Sequence, residues 1–164
     1  MAKDQVFRTV RGYQLLAQSN RLLSSAMEDY LEMIYRNAIE DGYVRMTSLS
    51  GMLHVKTPSA TKMVQKLTQL GFLKYEKYGI IMLTELGEIA GEFLLKRHNT
   101  IEVFLRNIGV SEDALVETEL MEHNIGDDTL KCIEIFNAFI LEHDEFHQAF
   151  EAFKDEYYTN KSKE

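Results

Sequence analysis

The sequence predicts a mainly α fold: a winged helix-turn-helix with a small β-hairpin wing, followed by an all-helical dimerisation domain. Three observations carry this. Two short helical patterns, one from Thr47 to about His54 and one opened by Thr57-Pro58, lie three or four residues apart. Two strand-like runs, Phe72 to Tyr78 and Ile80 to Thr84, follow and flank Gly79. From Glu85 onward the apolar residues recur at helical spacing.

Residues 1–23 mix apolar residues (Val6, Phe7, Val10, Leu15, Leu16, Leu22, Leu23) with basic ones and have no clean period, and form an N-terminal extension, either an arm or an extra helix. The DNA-binding half spans 24–90. Its first helix is announced by Ser25 followed by Glu28, the spacing of a capping box, and by the stripe Met27, Leu31, Ile34, Ala38, which stops at Asp41-Gly42. Thr47 caps the next helix, although Ser50-Gly51 interrupts it. Thr57-Pro58 starts the third, with Pro tolerated at its first position and Ala60, Met63, Val64 and Leu67 facing inward. A connecting helix carries Leu86, Ile89, Ala90, Phe93, Leu94, Ile101 and Leu105 and ends near Gly109. In the helical half, 91–164, Ser111 caps a further helix and Gly126-Asp127-Asp128 separates it from Leu130, Ile133, Phe136 and Ile140. Phe136, Phe139, Phe146, Phe150 and Phe153 are more aromatic surface than a small helical appendage buries alone, which predicts a homodimer.

Composition narrows the function classes. A chain of 164 residues with 45% apolar and 27% charged residues is ordinary for a soluble protein with one substantial core or two small domains. The single Cys132 excludes an internal disulfide and a Cys-based zinc finger. No apolar run approaches the length of a membrane span, and the first residues lack a signal peptide's apolar segment, so a reducing, cytoplasmic setting is expected and no membrane partner. The net charge of -8 is unequally distributed: residues 1–100 hold 13 basic and 10 acidic side chains, residues 101–164 hold 5 and 16. Between Arg45 and Thr84 there are six basic residues (Arg45, Lys56, Lys62, Lys66, Lys74, Lys77) against one acid, Glu76, a local excess suited to DNA phosphates. Readout is expected from Thr57, Ser59, Lys62, Gln65 and Lys66 on the second helix of the motif and from Lys74, Lys77 and Tyr78 in the wing. A dimer would suit a palindromic double-stranded operator.

A second set of residues has metal-ligand character. Asp29 and Glu32 lie at i and i+3 on one helix face, opposite Leu31 and Ile34; by themselves they read as a solvated acidic face or as ligands. His98 falls on the apolar side of the connecting helix, where it is either a satisfied core histidine or a ligand. Glu119, Glu122 and His123 stand at i, i+3 and i+4, a chelating arrangement of the kind helical metal proteins use. The six are rich in oxygen and free of sulfur, which favours a hard ion such as Mn(II) over thiolate-seeking metals. His143 and His147, beside Asp144, read as a solvated helix end or a zinc-binding pair.

The runs Met27 to Tyr35, Pro58 to Leu67, Tyr75 to Tyr78, Arg97-His98 and Glu119 to His123 resemble the diphtheria-toxin-repressor family of metal-dependent regulators, in particular its manganese-transport-regulator branch. The resemblance covers about residues 24–145 and includes no counterpart of the C-terminal barrel of the larger iron-dependent members. It implies that Asp29, Glu32, His98 and Glu122 hold one Mn(II), helped by the Glu119 carbonyl, while Glu119, His123 and bridging Glu32 and Glu122 hold a second, other divalent metals also being accepted. Iron-sensing relatives place Met and Cys where this chain has Asp29 and Glu119, and hard donors point to manganese. Implied with it is a homodimeric, non-enzymatic repressor of metal-uptake genes. The N-terminal extension, Ser50-Gly51 in the first helix of the helix-turn-helix, and Gly79, one position early in the wing, depart from the family pattern. Two rivals stand beside this reading: a winged-helix repressor that senses an organic ligand, and a dinuclear metalloenzyme.

Overall fold

The computed structural model describes residues 23–110 and 112–161, so the readings of residues 1–22 and of the Ser111 cap lie outside the described residues. Those residues form seven α-helices and one three-stranded antiparallel sheet, in agreement with the mainly helical winged fold. They divide into two compact units that meet between Lys96 and Arg97.

In the first unit, helix α1 (Ser25–Asp41) starts one residue earlier than a capping box requires. Ser24 is the N-cap and makes no side-chain cap bond, while Glu28 turns inward and is buried. The helix ends where Gly42, at φ 74°, donates its N–H to the Ala38 carbonyl, the left-handed closure glycine adopts without penalty. Next comes a strand the sequence reading did not anticipate, β1 (Val44–Arg45), which pairs with the far hairpin strand. Helix α2 (Met46–Met52) takes Arg45 rather than Thr47 as its N-cap and keeps Gly51 inside it. Helix α3 (Thr57–Gln69) begins with Pro58 in its first turn, where the missing N–H costs nothing. Between them His54 takes φ 51°, Val55 N–H bonds the Ser50 carbonyl at 3.0 Å, and the Ser50 and Thr57 hydroxyls lie 3.4 Å apart.

The expected wing is present but shorter in its strands. β2 (Leu73–Tyr75) pairs with β3 (Ile80–Leu83), Leu73 opposite Leu83 and Tyr75 opposite Ile81. A single 3-10 turn (Lys77–Gly79) replaces the end of the first predicted strand, with Tyr78 at φ 64° and Gly79 at φ 74°. Leu31, Ile34, Leu49, Val64, Leu67 and Ile81 are fully buried, and each contributes about 2 kcal/mol relative to an exposed side chain.

The long helix α4 (Glu85–Asn107) opens with Glu85 and Glu88 at its positive end. Thr84 fixes that start, its hydroxyl donating to the Gly71 carbonyl at 2.7 Å and accepting from Gly87 N–H at 3.0 Å. Gly87 is required there, since a Cβ would sit 2.0 Å from the Phe72 carbonyl oxygen. In the second unit α4 continues beside α5 (Ala114–Met121), α6 (Asp127–Glu142) and α7 (Asp144–Lys161). Phe104 meets Phe136 edge-on at 5.6 Å, and the Asn137 amide donates to the Thr100 carbonyl at 2.9 Å. The last stretch is two helices rather than one. His143 takes φ -134°, ψ 68° between them, its ring stacked on Phe139 and its Nδ1 2.9 Å from the Phe139 carbonyl. His143 and His147 therefore do not share a continuous helical face. Phe139, Phe146, Phe150 and Phe153 remain exposed, as the surplus of aromatic surface led us to expect.

Candidate metal and DNA sites

Each unit carries residues of the candidate sites. In the first, α3 buries Ala60, Val64 and Leu67 and thereby turns Thr57, Ser59, Lys62, Gln65 and Lys66 outward, all exposed. Lys74 on β2 and Lys77 and Tyr78 in the turn are exposed as well, Tyr78 almost completely. All eight residues proposed for DNA contact are thus solvent-facing. A short outward helix beside a basic hairpin is the shape that enters a major groove while the wing follows the backbone.

The first unit also carries Asp29 and Glu32 on α1. Glu32 is buried, and Asp29 is half-buried, so the pair is not a solvated acidic face. The Arg36 guanidinium, one turn on, bonds Glu32 Oε1, a partner the sequence reading missed although i,i+4 spacing announces it. Tyr30, between the two acids, is buried, and burial pushes its phenol above its ordinary value of 10.0.

In the second unit the structure brings four of the six proposed ligands together. His98 lies on α4 in the same stripe as Leu94, Ile101 and Leu105, and is 2% exposed. Its Nδ1 stands 2.9 Å from Oε2 of Glu122, which is 1% exposed, and 3.8 Å from Oε1 of Glu119. Glu122 caps the C-terminus of α5, and its Oε1 lies 3.6 Å from Nε2 of His123. A neutral His98 ring donates its Nδ1 proton to Glu122 and keeps the Nε2 lone pair for a ligand, the orientation that metal-binding histidines adopt. A buried carboxylate beside two imidazoles and a second carboxylate is costly to hold without positive charge, and its oxygen and nitrogen donors suit a hard divalent ion. The sequence reading did not single out Arg97 as a site residue; it is 8% exposed and places Nη2 3.4 Å from Nδ1 of His123.

Residues 22–81 match the family model described as iron dependent repressor, N-terminal DNA binding domain, and residues 84–149 match iron dependent repressor, metal binding and dimerisation domain. The HTH-type transcriptional regulator MntR of Bacillus pumilus (strain SAFR-032) is 39% identical over 125 residues, 76% of this chain and 87% of that protein. The chain belongs to the diphtheria-toxin-repressor family, in its manganese-regulator branch. The MntR of Lysinibacillus sphaericus (strain C3-41) is 44% identical over 101 residues, 61% of this chain and 73% of its own. Among solved structures, the manganese regulator SloR superposes with a TM-score of 0.60 at 28% identity, over 67% of this chain and 52% of that one. The T. acidophilum IdeR gives 0.58 at 25% identity, over 65% of this chain and 51% of its own. The chain thus spans about half the length of these solved relatives. The family is one of transcriptional regulators, which sets the metalloenzyme reading aside. Among the described residues no helix is long and apolar enough to cross a membrane.

Proposed function

We propose that this chain is a cytoplasmic, manganese-responsive transcriptional repressor that binds a palindromic operator as a homodimer and controls metal-ion uptake genes. The observation that carries the reading is the buried His98–Glu122 pair, with Glu119 and His123 at its rim, in a chain whose other half presents an exposed basic helix and wing. Similarity to regulators named MntR supports manganese as the ion and transcription as the output.

Asp29, Glu32, His98 and Glu122, with the Glu119 carbonyl, would hold one ion; Glu119 and His123, sharing Glu32 and Glu122, would hold a second. Bound Mn(II) supplies concentrated positive charge that offsets the mutual repulsion of four carboxylates. The donors are divided between the DNA-binding and dimerisation halves, so their affinity for an ion depends on how those halves are arranged. An arrangement that gathers all the donors is favoured when the ion is available, and operator affinity rises with it. The four carboxylates repel one another when no cation lies between them, which disfavours that same arrangement.

The test is operator-fragment binding by fluorescence anisotropy at fixed salt, first with chelator and then with Mn(II). A tightening of tenfold or more, about 1.4 kcal/mol of coupling, is expected, with loss of the response in Glu122→Ala. Affinity indifferent to both metal and substitution rejects the reading in favour of a constitutive or organic-ligand repressor.

A further inference from the structure

His98 and His123, both in the second unit, face opposite kinds of neighbour. His98 Nδ1 faces a carboxylate, an acceptor, at 2.9 Å. His123 Nδ1 faces the Arg97 guanidinium, which has donors and no acceptor, at 3.4 Å. An imidazole nitrogen in contact with a guanidinium offers its lone pair, so the ring proton of a neutral His123 lies on Nε2, the nitrogen 3.6 Å from Glu122 Oε1. Neither nitrogen is then available to an ion: Nδ1 is taken by Arg97 and Nε2 carries the proton. Coordination through Nε2 moves the proton to Nδ1, where it points at a donor, and coordination through Nδ1 needs the space Arg97 occupies. The Arg97 contact and metal ligation by His123 exclude each other.

We infer that Arg97 is a latch on His123: its guanidinium competes with the metal ion for that imidazole and so raises the metal concentration at which the site fills. Arg97 is a positioning residue, acting through His123, and the inference rests on the metal-sensor reading above. Burial makes the competition effective. Arg97 is 8% exposed, so solvent screens its charge little.

The experiment is Mn(II) titration calorimetry on the full chain and on Arg97→Met, each in a His123 and a His123→Ala background. We expect Arg97→Met to tighten Mn(II) binding by tenfold or more, on the roughly 10- to 100-fold scale of outer partners of metal ligands, and to tighten it several-fold less once His123 is gone, where only the charge repulsion remains. Unchanged or weaker binding by a folded Arg97→Met overturns the latch, as does an equal change in both backgrounds, which marks an effect of charge or structure that does not pass through His123. Failure of the parent chain to bind Mn(II) at all overturns the sensor reading instead. Should Arg97→Met not fold, the parent chain decides the matter through imidazole nitrogen NMR with Cd(II) as a diamagnetic probe. His123 is expected to carry its proton on Nε2 before Cd(II) and to have one ring nitrogen bound to cadmium on saturation; a proton on Nδ1 before Cd(II) rejects the proposal.

Discussion

The imidazole of His98 and the carboxylate of Glu122 meet at 2.9 Å with both side chains almost wholly withdrawn from solvent. Removing either member of a polar pair at that depth takes from the other this bond, at a cost of about 1–3 kcal/mol. The pairing also separates structural from ligand roles.

Glu122→Gln keeps an acceptor for the His98 proton and removes the charge. Its unfolding free energy in urea is expected to stay within about 1 kcal/mol of the parent, while Mn(II) affinity by calorimetry falls at least 100-fold, beyond the roughly 10- to 100-fold cost of losing an outer partner. Retained affinity would remove Glu122 from the ligand set.

On the DNA surface, Lys62→Ala and Lys66→Ala change exposed side chains and should leave thermal melting unaltered. Each is expected to weaken operator binding and to lower the slope of log affinity against log salt by about one. Gln65→Ala, if Gln65 reads a base, should instead relax sequence preference by about 1–3 kcal/mol with an unchanged salt slope.

Gly91 packs against Tyr35, and a Cβ there would lie 2.4 Å from the Tyr35 Cβ. Gly91→Ala should therefore destabilise the chain by about 1–3 kcal/mol in urea unfolding, because neither helix can yield without disturbing its neighbours. A neutral result would mean that the α1 and α4 backbones separate freely at this point.

Tyr78 holds a left-handed backbone, φ 64°, with 91% of its side chain exposed. A left-handed tyrosine costs about 1 kcal/mol and recovers nothing by burial. Tyr78→Gly removes that strain and loosens the unfolded chain by a similar amount, so stability should move by less than about 1 kcal/mol. Operator affinity, measured by anisotropy, should fall; unchanged affinity would place Tyr78 outside the DNA surface.

Much of this was legible in the sequence because it depends on period and punctuation. The stripe through Leu31 and Ile34, the Thr57-Pro58 start and the two apolar runs around Gly79 each impose one local conformation, and together they specify the helix-turn-helix and its wing. What escaped notice had no period to show. Val44–Arg45 is too short to alternate, and becomes a strand only because β3 offers it a hydrogen-bonding edge. The break at His143 has no glycine or proline to mark it. Ser25 and Glu28 had the spacing of a capping box, yet Glu28 is drawn inward by the packing of α1. Arg97 stands out in the sequence only as part of the Arg97-His98 run, since its contact with His123, 26 residues later, exists only in the folded chain.

The short strand β1 also bears on how the protein behaves at high concentration. A wing must stand out into solvent to reach DNA, and a protruding hairpin with an open edge recruits strands from other molecules. Here Val44 and Arg45 close one flank of β3 and β2 closes the other, so the outermost strands are two and three residues long, with Arg45 and Lys74 exposed. Neither offers a ladder long enough to template aggregation. The hairpin can remain accessible to nucleic acid without becoming adhesive to its own kind.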